Sequence, residues 1–297
     1  MIKSAPLVSI CIPVFNGSKY LAEALQSALN QDYVNIEVVI SDDQSVDNSI
    51  QIIQEFLPKF KCNVKVLRHQ RSGLANHLNF LLEAASGKYI KYLFQDDILY
   101  PFCLSRMVYL AESKENIALV FCSRDIICSD ENLFSRAEGI KNLHYNLKIN
   151  SGVLAGVELI SNPSLGNIVN PIGEPTNVLL LKSAAISAGC FNAKFSQLVD
   201  IEFWFRVIIH SNIGFIDENL CAFRVHAEQE TLKCCPKKAE AEDRLFYKHI
   251  LESEMRRILH KNTLKKYQKR LRPVSLLKRL KKGIKIYVIN LFGLSQK

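Results

Sequence analysis

Three acidic groups in this chain have spacing that could do chemistry: Asp42-Asp43, Asp96-Asp97, and Asp200 with Glu202 two positions on. Adjacent carboxylates that follow an apolar run suit a divalent cation with hard oxygen ligands, which can bridge protein and phosphates. The pair at 42–43 can also accept hydrogen bonds from a nucleobase or a ribose. Asp200 stands where it can cap a helix that includes Trp204. Glu202 points elsewhere on that helix, because residues two apart do not share a face. Plainer readings exist beside these: a turn at 42–43, a cap for the helix near Pro101 at 96–97, and an N-cap at Asp47.

The elements that must position these groups follow from periodicity. Leu7–Val14, Ile36–Ser41, Val64–His69 and Lys88–Phe94 read as short buried strands. Between them Leu21, Ala24, Leu25, Ala28 and Leu29 repeat at helical spacing, as do Ile50, Ile53, Leu57 and Phe60, and Leu74, Leu78, Leu81, Leu82 and Ala85. Ser18 and Asp47 offer N-caps for the first two helices, and Gly73 opens the third. A β-α-β-α-β-α-β order implies an α/β protein: a mostly parallel, Rossmann-like sheet with helices on both faces. Beyond Asp97 the alternation loosens. Pro101–Ser113, Ser183–Ala188 and Asp200–Ile209 read as helices, Ile117–Cys122 as a strand, and 237–272 as one or two polar helices. Residues 129–151 have no clear period.

In an open α/β sheet, ligands bind outside the carboxyl ends of the strands. Strand one ends in Pro13-Val14-Phe15-Asn16-Gly17, strand two in Ser41-Asp42-Asp43-Gln44-Ser45, and strand four in Gln95-Asp96-Asp97. Three of the four strand ends therefore bring polar or acidic groups to one crevice. No G-x-G-x-x-G and no P-loop lysine follows strand one, so a dinucleotide or P-loop reading fails. A diphosphate in this crevice must have its charge met in another way, and a cation would do it.

At this point the chain resembles a known family, the inverting family 2 glycosyltransferases with the glycosyltransferase A-type fold. V-S-I-C-I-P-V-F-N-G at 8–17 is similar to their opening strand, and S-D-D-Q-S-V-D at 41–47 to their D-D-G-S-x-D signature. R-S-G-L-A-N-H-L-N at 71–79 and A-S-G-K-Y-I at 85–90 resemble the third helix and fourth strand. F-Q-D-D-I-L-Y-P at 94–101 resembles the D-x-D metal region, V-D-I-E-F-W-F-R at 199–206 the segment of the catalytic carboxylate, and F-R-V-H at 223–226 a late R-x-H element. The resemblance runs over roughly 6–230.

It implies that Pro13, Phe15, Asn16, Asp42, Asn79 and Asp96 bind the nucleotide, with Asp42 on a uracil-like base and Asp96 near the ribose. It implies Asp97 and His226 as metal ligands and Asp200 as general base. The donor would be a nucleotide-diphosphate sugar, most simply a UDP-sugar, used with Mn2+ or Mg2+. Two positions depart from the pattern: Phe94 stands where an Asp is common, and Gln44 where Gly would relax a tight turn. A sugar-phosphate nucleotidyltransferase would need a Gly-rich basic loop after strand one, which Phe15-Asn16-Gly17-Ser18 is not. A non-catalytic nucleotide-sugar-binding relative would not need to keep Asp42, Asp97 and Asp200 together.

Composition divides the chain in two. It has 297 residues, enough for one large domain with appendages, and at 48% apolar and 23% charged it reads as globular rather than disordered. Residues 255–297 hold fourteen Lys or Arg and no Asp or Glu, which leaves 24 basic and 29 acidic residues in 1–254, a net of −5. We expect a catalytic domain over 1–230, with a donor half near 1–100 and an acceptor half near 101–230, and a helical, basic extension over 231–297. In 273–297, Leu276, Leu280, Ile284, Tyr287 and Leu291 can share one helical face while Lys278, Arg279, Lys281, Lys282 and Lys285 cover the rest, which suits an anionic membrane surface. Its longest uncharged stretch is too short to span a bilayer. With an acidic body and no recognised motif, no nucleic-acid partner is expected. Nine cysteines without a C-x-x-C pair speak against a zinc site and fit a reducing compartment. The expected place is the cytoplasm, at the membrane's inner face, where a glycan or lipid-linked glycan acceptor would be met.

Overall fold

A computed structural model describes residues 5–141, 147–167, 170–229, 232 and 235–272. Strands β1 (Val8–Val14), β2 (Ile36–Asp42), β3 (Asn63–Arg68) and β4 (Tyr89–Tyr92) alternate with helices α1 (Leu21–Leu29), α2 (Ser49–Phe56) and α3 (Leu74–Ala84), as the periodicity predicts. They lie parallel in the order β3-β2-β1-β4. The direction of winding reverses between β1 and β4, which opens a crevice at their carboxyl ends. β1 is buried from end to end. Val8, Ile10, Ile12 and Val14 pack with Leu21 and Leu25 of α1 on one face, and Cys11 packs with Leu78, Leu81 and Leu82 of α3 on the other. Covered on both faces, the strand is apolar almost throughout instead of alternating.

The second half is less regular. It contains β5 (Ile98–Leu99), α4 (Cys103–Ala111), β6 (Ile117–Cys128), α5 (Phe134–Ile140), β7 (Gly152–Ala155) and α6 (Gly156–Ile160). Then follow β8 (Val178–Leu181), α7 (Lys182–Ser187), α8 (Val199–Ile208) and β9 (Asn212–Val225). β8 enters the sheet antiparallel between β4 and β6, and β9 runs parallel to β6. One edge of β9 pairs antiparallel with β7 at its start and with β5 near its end. The sheet is therefore mixed but mainly parallel. The pairing of β5 with β9 places Phe223–His226, 126 or more residues away in the chain, beside Asp96 and Asp97.

Two local expectations change. Ser18 does not cap α1, whose N-cap position is Tyr20. Nor does Asp47 cap α2, which begins after Asn48. The Asp47 carboxylate instead accepts from Ser18 N, Ser49 N and Ser49 Oγ at 2.9, 3.0 and 2.6 Å, and so ties the loop after β1 to the loop after β2. Burial alone would raise its pKa, but these hydrogen bonds outweigh burial and bring it down to about 2.

Residues 237–272 form three helices: α9 (Pro236–Glu252), α10 (Met255–Ile258) and α11 (Lys261–Leu271). Phe246, Ile250, Met255, Leu259 and Tyr267 join the core that holds Phe203, Trp204 and Phe205 of α8. Among the described residues no helix is long and apolar enough to cross a membrane. The basic amphipathic stretch 273–297 lies outside the described residues.

Candidate active site

The crevice is built by strand ends that hold one another. Phe15 N donates to Gln95 Oε1 at 2.8 Å and Gln95 Nε2 donates back to Phe15 O at 3.0 Å, so one amide locks the end of β1 to the end of β4. Gly17 makes this possible: a Cβ there would lie 2.3 Å from Gln95 Oε1. Asn16, at φ +49°, donates its N–H to Ser45 Oγ and accepts from Val46 N, both at 2.9 Å. The Arg71 guanidinium lies over the Phe15 ring, 3.7 Å from its centroid. Pro13 is buried inside β1 beside Ser41 and shapes the floor rather than the rim.

Asp42, 0% exposed, closes β2. Its two oxygens accept from Ser45 N at 3.3 and 3.1 Å, and Arg68 Nε is 3.7 Å away. A cleft of about 590 Å³ opens beside it, lined by Gln44, Ser45, Val46, Arg68, His69 and Gln70. His69 Nδ1 lies 3.1 Å from Asp43 Oδ1, and the His69 ring stacks on His77 and Phe80.

Asp96 and Asp97 take different positions. Asp97 is 0% exposed. Its carboxylate accepts from Thr176 Oγ1 at 2.6 Å and from Arg224 N at 3.0 Å. Burial first, and then the Asp96 charge, push its pKa well above the usual carboxylate range against those two hydrogen bonds. The Asp96 side chain keeps 21% of its surface and meets His226 Nε2 at 3.0 Å. His226 Nδ1 is buried without a hydrogen-bond partner among the described residues, and the ring packs 5.1 Å from Tyr20. Arg224 holds this corner together: Nε donates to Asp96 O at 2.8 Å, and the guanidinium reaches Glu23 at 2.7 Å over the Tyr20 ring.

Asp96 and His226 supply one carboxylate and one imidazole side by side. That donor set fits a divalent cation that takes its other ligands from a diphosphate and water. Among the described residues, no group of three or more His, Cys, Asp or Glu side chains is arranged around one metal position. Asp97, next to Asp96 in the chain, is buried with its oxygens engaged by Thr176 and Arg224.

Asp200 stands on the first turn of α8. Its Oδ2 accepts from Asn170 Nδ2 at 2.8 Å and its Oδ1 from Ile201 N at 2.7 Å. Burial, and then the Glu174 charge, raise its pKa from 3.8 to about 7, against the nearby Arg124. Arg124, 2% exposed, pairs with Glu174 at 3.2 Å and donates to Ile140 O at 3.1 Å. A single loop, 170–177, thus supplies Asn170 to Asp200, Glu174 to Arg124 and Thr176 to Asp97. Trp204 Nε1 braces it through Gly173 O at 3.0 Å, and Asn177 Nδ2 closes it on Ile172 O at 2.6 Å.

Glu202 points away from the crevice, as the helical spacing requires: it is fully buried between Arg206 and His249. Asn79 is also placed apart. Its amide donates to Phe191 O and accepts from Phe191 N, both at 2.8 Å, which clips α3 to the loop before α8. Gln95, Arg124, Asn170, Glu174, Thr176 and Arg224 are site residues that motif and periodicity do not assign. Of these, Gln95 and Arg224 lie inside the quoted motifs at 94–101 and 223–226.

A family model described as "Glycosyl transferase family 2" matches residues 9–185. The chain belongs to that family. The matched span carries the strand ends and Asp96-Asp97, and stops short of Asp200 and His226. The chain is 28% identical over 255 residues to an uncharacterized glycosyltransferase of Rickettsia prowazekii (strain Madrid E), covering 84% of this chain and 74% of that one. Its fold is similar to S. aureus TarS 1–349 in complex with UDP-GlcNAc, at TM-score 0.68 and 18% identity over 89% of this chain and 72% of that one. It is also similar to a mannosyltransferase of Pyrobaculum calidifontis in complex with GDP-Man and Mn2+, at TM-score 0.60 and 14% identity over 96% and 81% of the two chains. A mainly parallel sheet with helices is what the glycosyltransferase A-type resemblance implied.

Proposed function

We propose that this glycosyltransferase moves a sugar from a nucleotide-diphosphate sugar to a hydroxyl of a glycan or lipid-linked glycan, with inversion at the anomeric carbon, in the building of a cell-surface polysaccharide. The observation that carries the reading is the placement of Asp200: it stands on the first turn of α8, held by Asn170 of the same loop whose Thr176 holds Asp97 after β4. A base with a pKa near the working pH can take the acceptor's proton as the hydroxyl attacks, and loses little driving force.

The rest of the crevice would hold the donor. Asp42 accepts from the base or ribose, Phe15 under Arg71 gives an apolar wall, and Asn16 and Ser45 fix the loop that carries them. Asp96 and His226 would hold a Mn2+ or Mg2+ ion. Such a cation, when bound, neutralises charge on the diphosphate. Arg224 keeps Asp96 and Asp97 in register, and Glu174 keeps Asp200 from ionising too early. A UDP-linked donor is the first choice, given the UDP-GlcNAc bound by S. aureus TarS, and a GDP-linked sugar the second, given the GDP-Man of the Pyrobaculum enzyme.

The test is binding and hydrolysis of UDP-Glc, UDP-Gal, UDP-GlcNAc and GDP-Man, each with Mn2+, with Mg2+ and with EDTA. One donor bound with metal and slowly hydrolysed supports the proposal. Binding without any turnover, with or without candidate acceptors, would favour a nucleotide-sugar-binding relative instead.

A further inference from the structure

Helix α8, which carries Asp200, starts without a side-chain cap of its own among the described residues: its N-cap position is Leu198. The three N–H groups that lead into it, of Ser196, Gln197 and Leu198, all donate to one oxygen, Oε1 of Glu242, at 2.8, 2.5 and 2.7 Å. Ser196 Oγ donates to Oε2 at 2.8 Å. Glu242 is 6% exposed and belongs to α9. Successive N–H groups that converge just before a helix form an anion site, and here the anion is a side chain from a distant element. The same helix holds α8 at two more points: Phe246 packs 6.0 Å from Phe205, and His249 Nε2 meets Glu202 Oε1 at 3.1 Å.

We infer that Glu242 is a positioning residue for Asp200, so that helix α9 helps to set the geometry of the active site. The inference rests on the role proposed above for Asp200. Leu198 is two residues before Asp200, so a rotated peptide at 196–198 is carried directly to the Asp200 Cα. Its alignment with Asn170 and with the acceptor goes with it. Removal of the Glu242 carboxylate leaves these three half-buried N–H groups without their acceptor, and the turn must move to find water.

Glu242→Ala, Glu242→Asp and Glu242→Gln in the full chain test this, each first checked for a cooperative melt. With the donor that the wild type hydrolyses, Glu242→Ala should lower kcat about 100-fold with donor KM within about twofold, since a shift near 1 Å costs that much in rate. Glu242→Asp, one methylene short, should lose about tenfold, and Glu242→Gln, which keeps an acceptor oxygen, should recover to within about fivefold. A second readout is the Asp200 titration followed by carboxyl 13C NMR. Its midpoint should fall from about 7 toward the ordinary carboxylate range in Glu242→Ala and hold in Glu242→Gln. Folded Glu242→Ala or Glu242→Asp with wild-type kcat and titration would overturn the inference. If the wild type turns over no nucleotide sugar, the proposed function fails first, and the titration alone then decides the positioning claim. Should Glu242→Ala not fold, Glu242→Asp carries both readouts.

Discussion

Asp97 and Asp200 are both carboxylates whose proton affinity is raised first by burial, yet they are held in opposite ways. Asp97 sits under strand ends and is gripped by partners from two distant elements, Thr176 and the backbone of Arg224. Asp200 sits at a helix start, with one oxygen on a loop amide and the other on its own turn. The sheet fixes Asp97 as part of the frame. A loop amide and the first turn of α8 hold Asp200, the base of the proposed reaction. The difference teaches that two buried carboxylates can be held in separate ways, one by distant strand and loop partners and one by a neighbouring amide and its own helix turn.

Substitutions can break this comparison. Asp97→Ala orphans two buried donors and should destabilise the fold by about 3 kcal/mol in a denaturant titration. If Asp97→Ala melts like the wild type and loses only donor binding, Asp97 is a reagent and the contrast fails. Asp96→Ala should do the reverse: donor affinity falls about 10- to 100-fold by calorimetry, with stability within about 1 kcal/mol. A smaller effect shows in the pH dependence of stability. The folded state binds the Asp200 proton more tightly than the unfolded chain, so its contribution to stability is lost as pH rises from near 4 through about 7. Asp200→Asn should therefore be more stable relative to the wild type at pH 8 than at pH 4, by thermal melts at each pH. The smallest effect sharpens the account of the base: Glu174→Gln removes a like charge, so the acid limb of the turnover profile should move to lower pH by less than about one unit. A move to higher pH would mean that Glu174 acts by another route.

How much of this was legible in the sequence follows from how each part is stabilised. β1 to β4 and α1 to α3 were readable because burial on both faces makes strands apolar and helices amphipathic at regular periods. The polar residues that break those runs, Asp42 and Asp96-Asp97, then mark the crevice. β8 and β9 gave no such mark. Val178–Leu181 is a short apolar run between loops, and Asn212–Val225 mixes Asp, Glu and Asn into a strand whose partners change along its length. Pairing between residues more than a hundred apart brings Arg224 to Asp97, and no local pattern encodes it. Asn170, Glu174 and Thr176 lie in a loop without period. Glu242 looks like any exposed glutamate of a polar helix, and only the fold shows the three N–H groups it gathers. The contact of the Asn79 amide with the Phe191 backbone, between residues 112 apart, is likewise encoded by no local pattern.

The most direct test of the central claim is a comparison of wild type and Asp200→Asn under saturating donor and metal, with donor affinity and turnover measured on the same samples. The account predicts wild-type affinity and a fall in turnover of about 1,000-fold, the order expected when a general base is lost. Turnover within about tenfold of wild type would contradict it, because a positioned base contributes more than that.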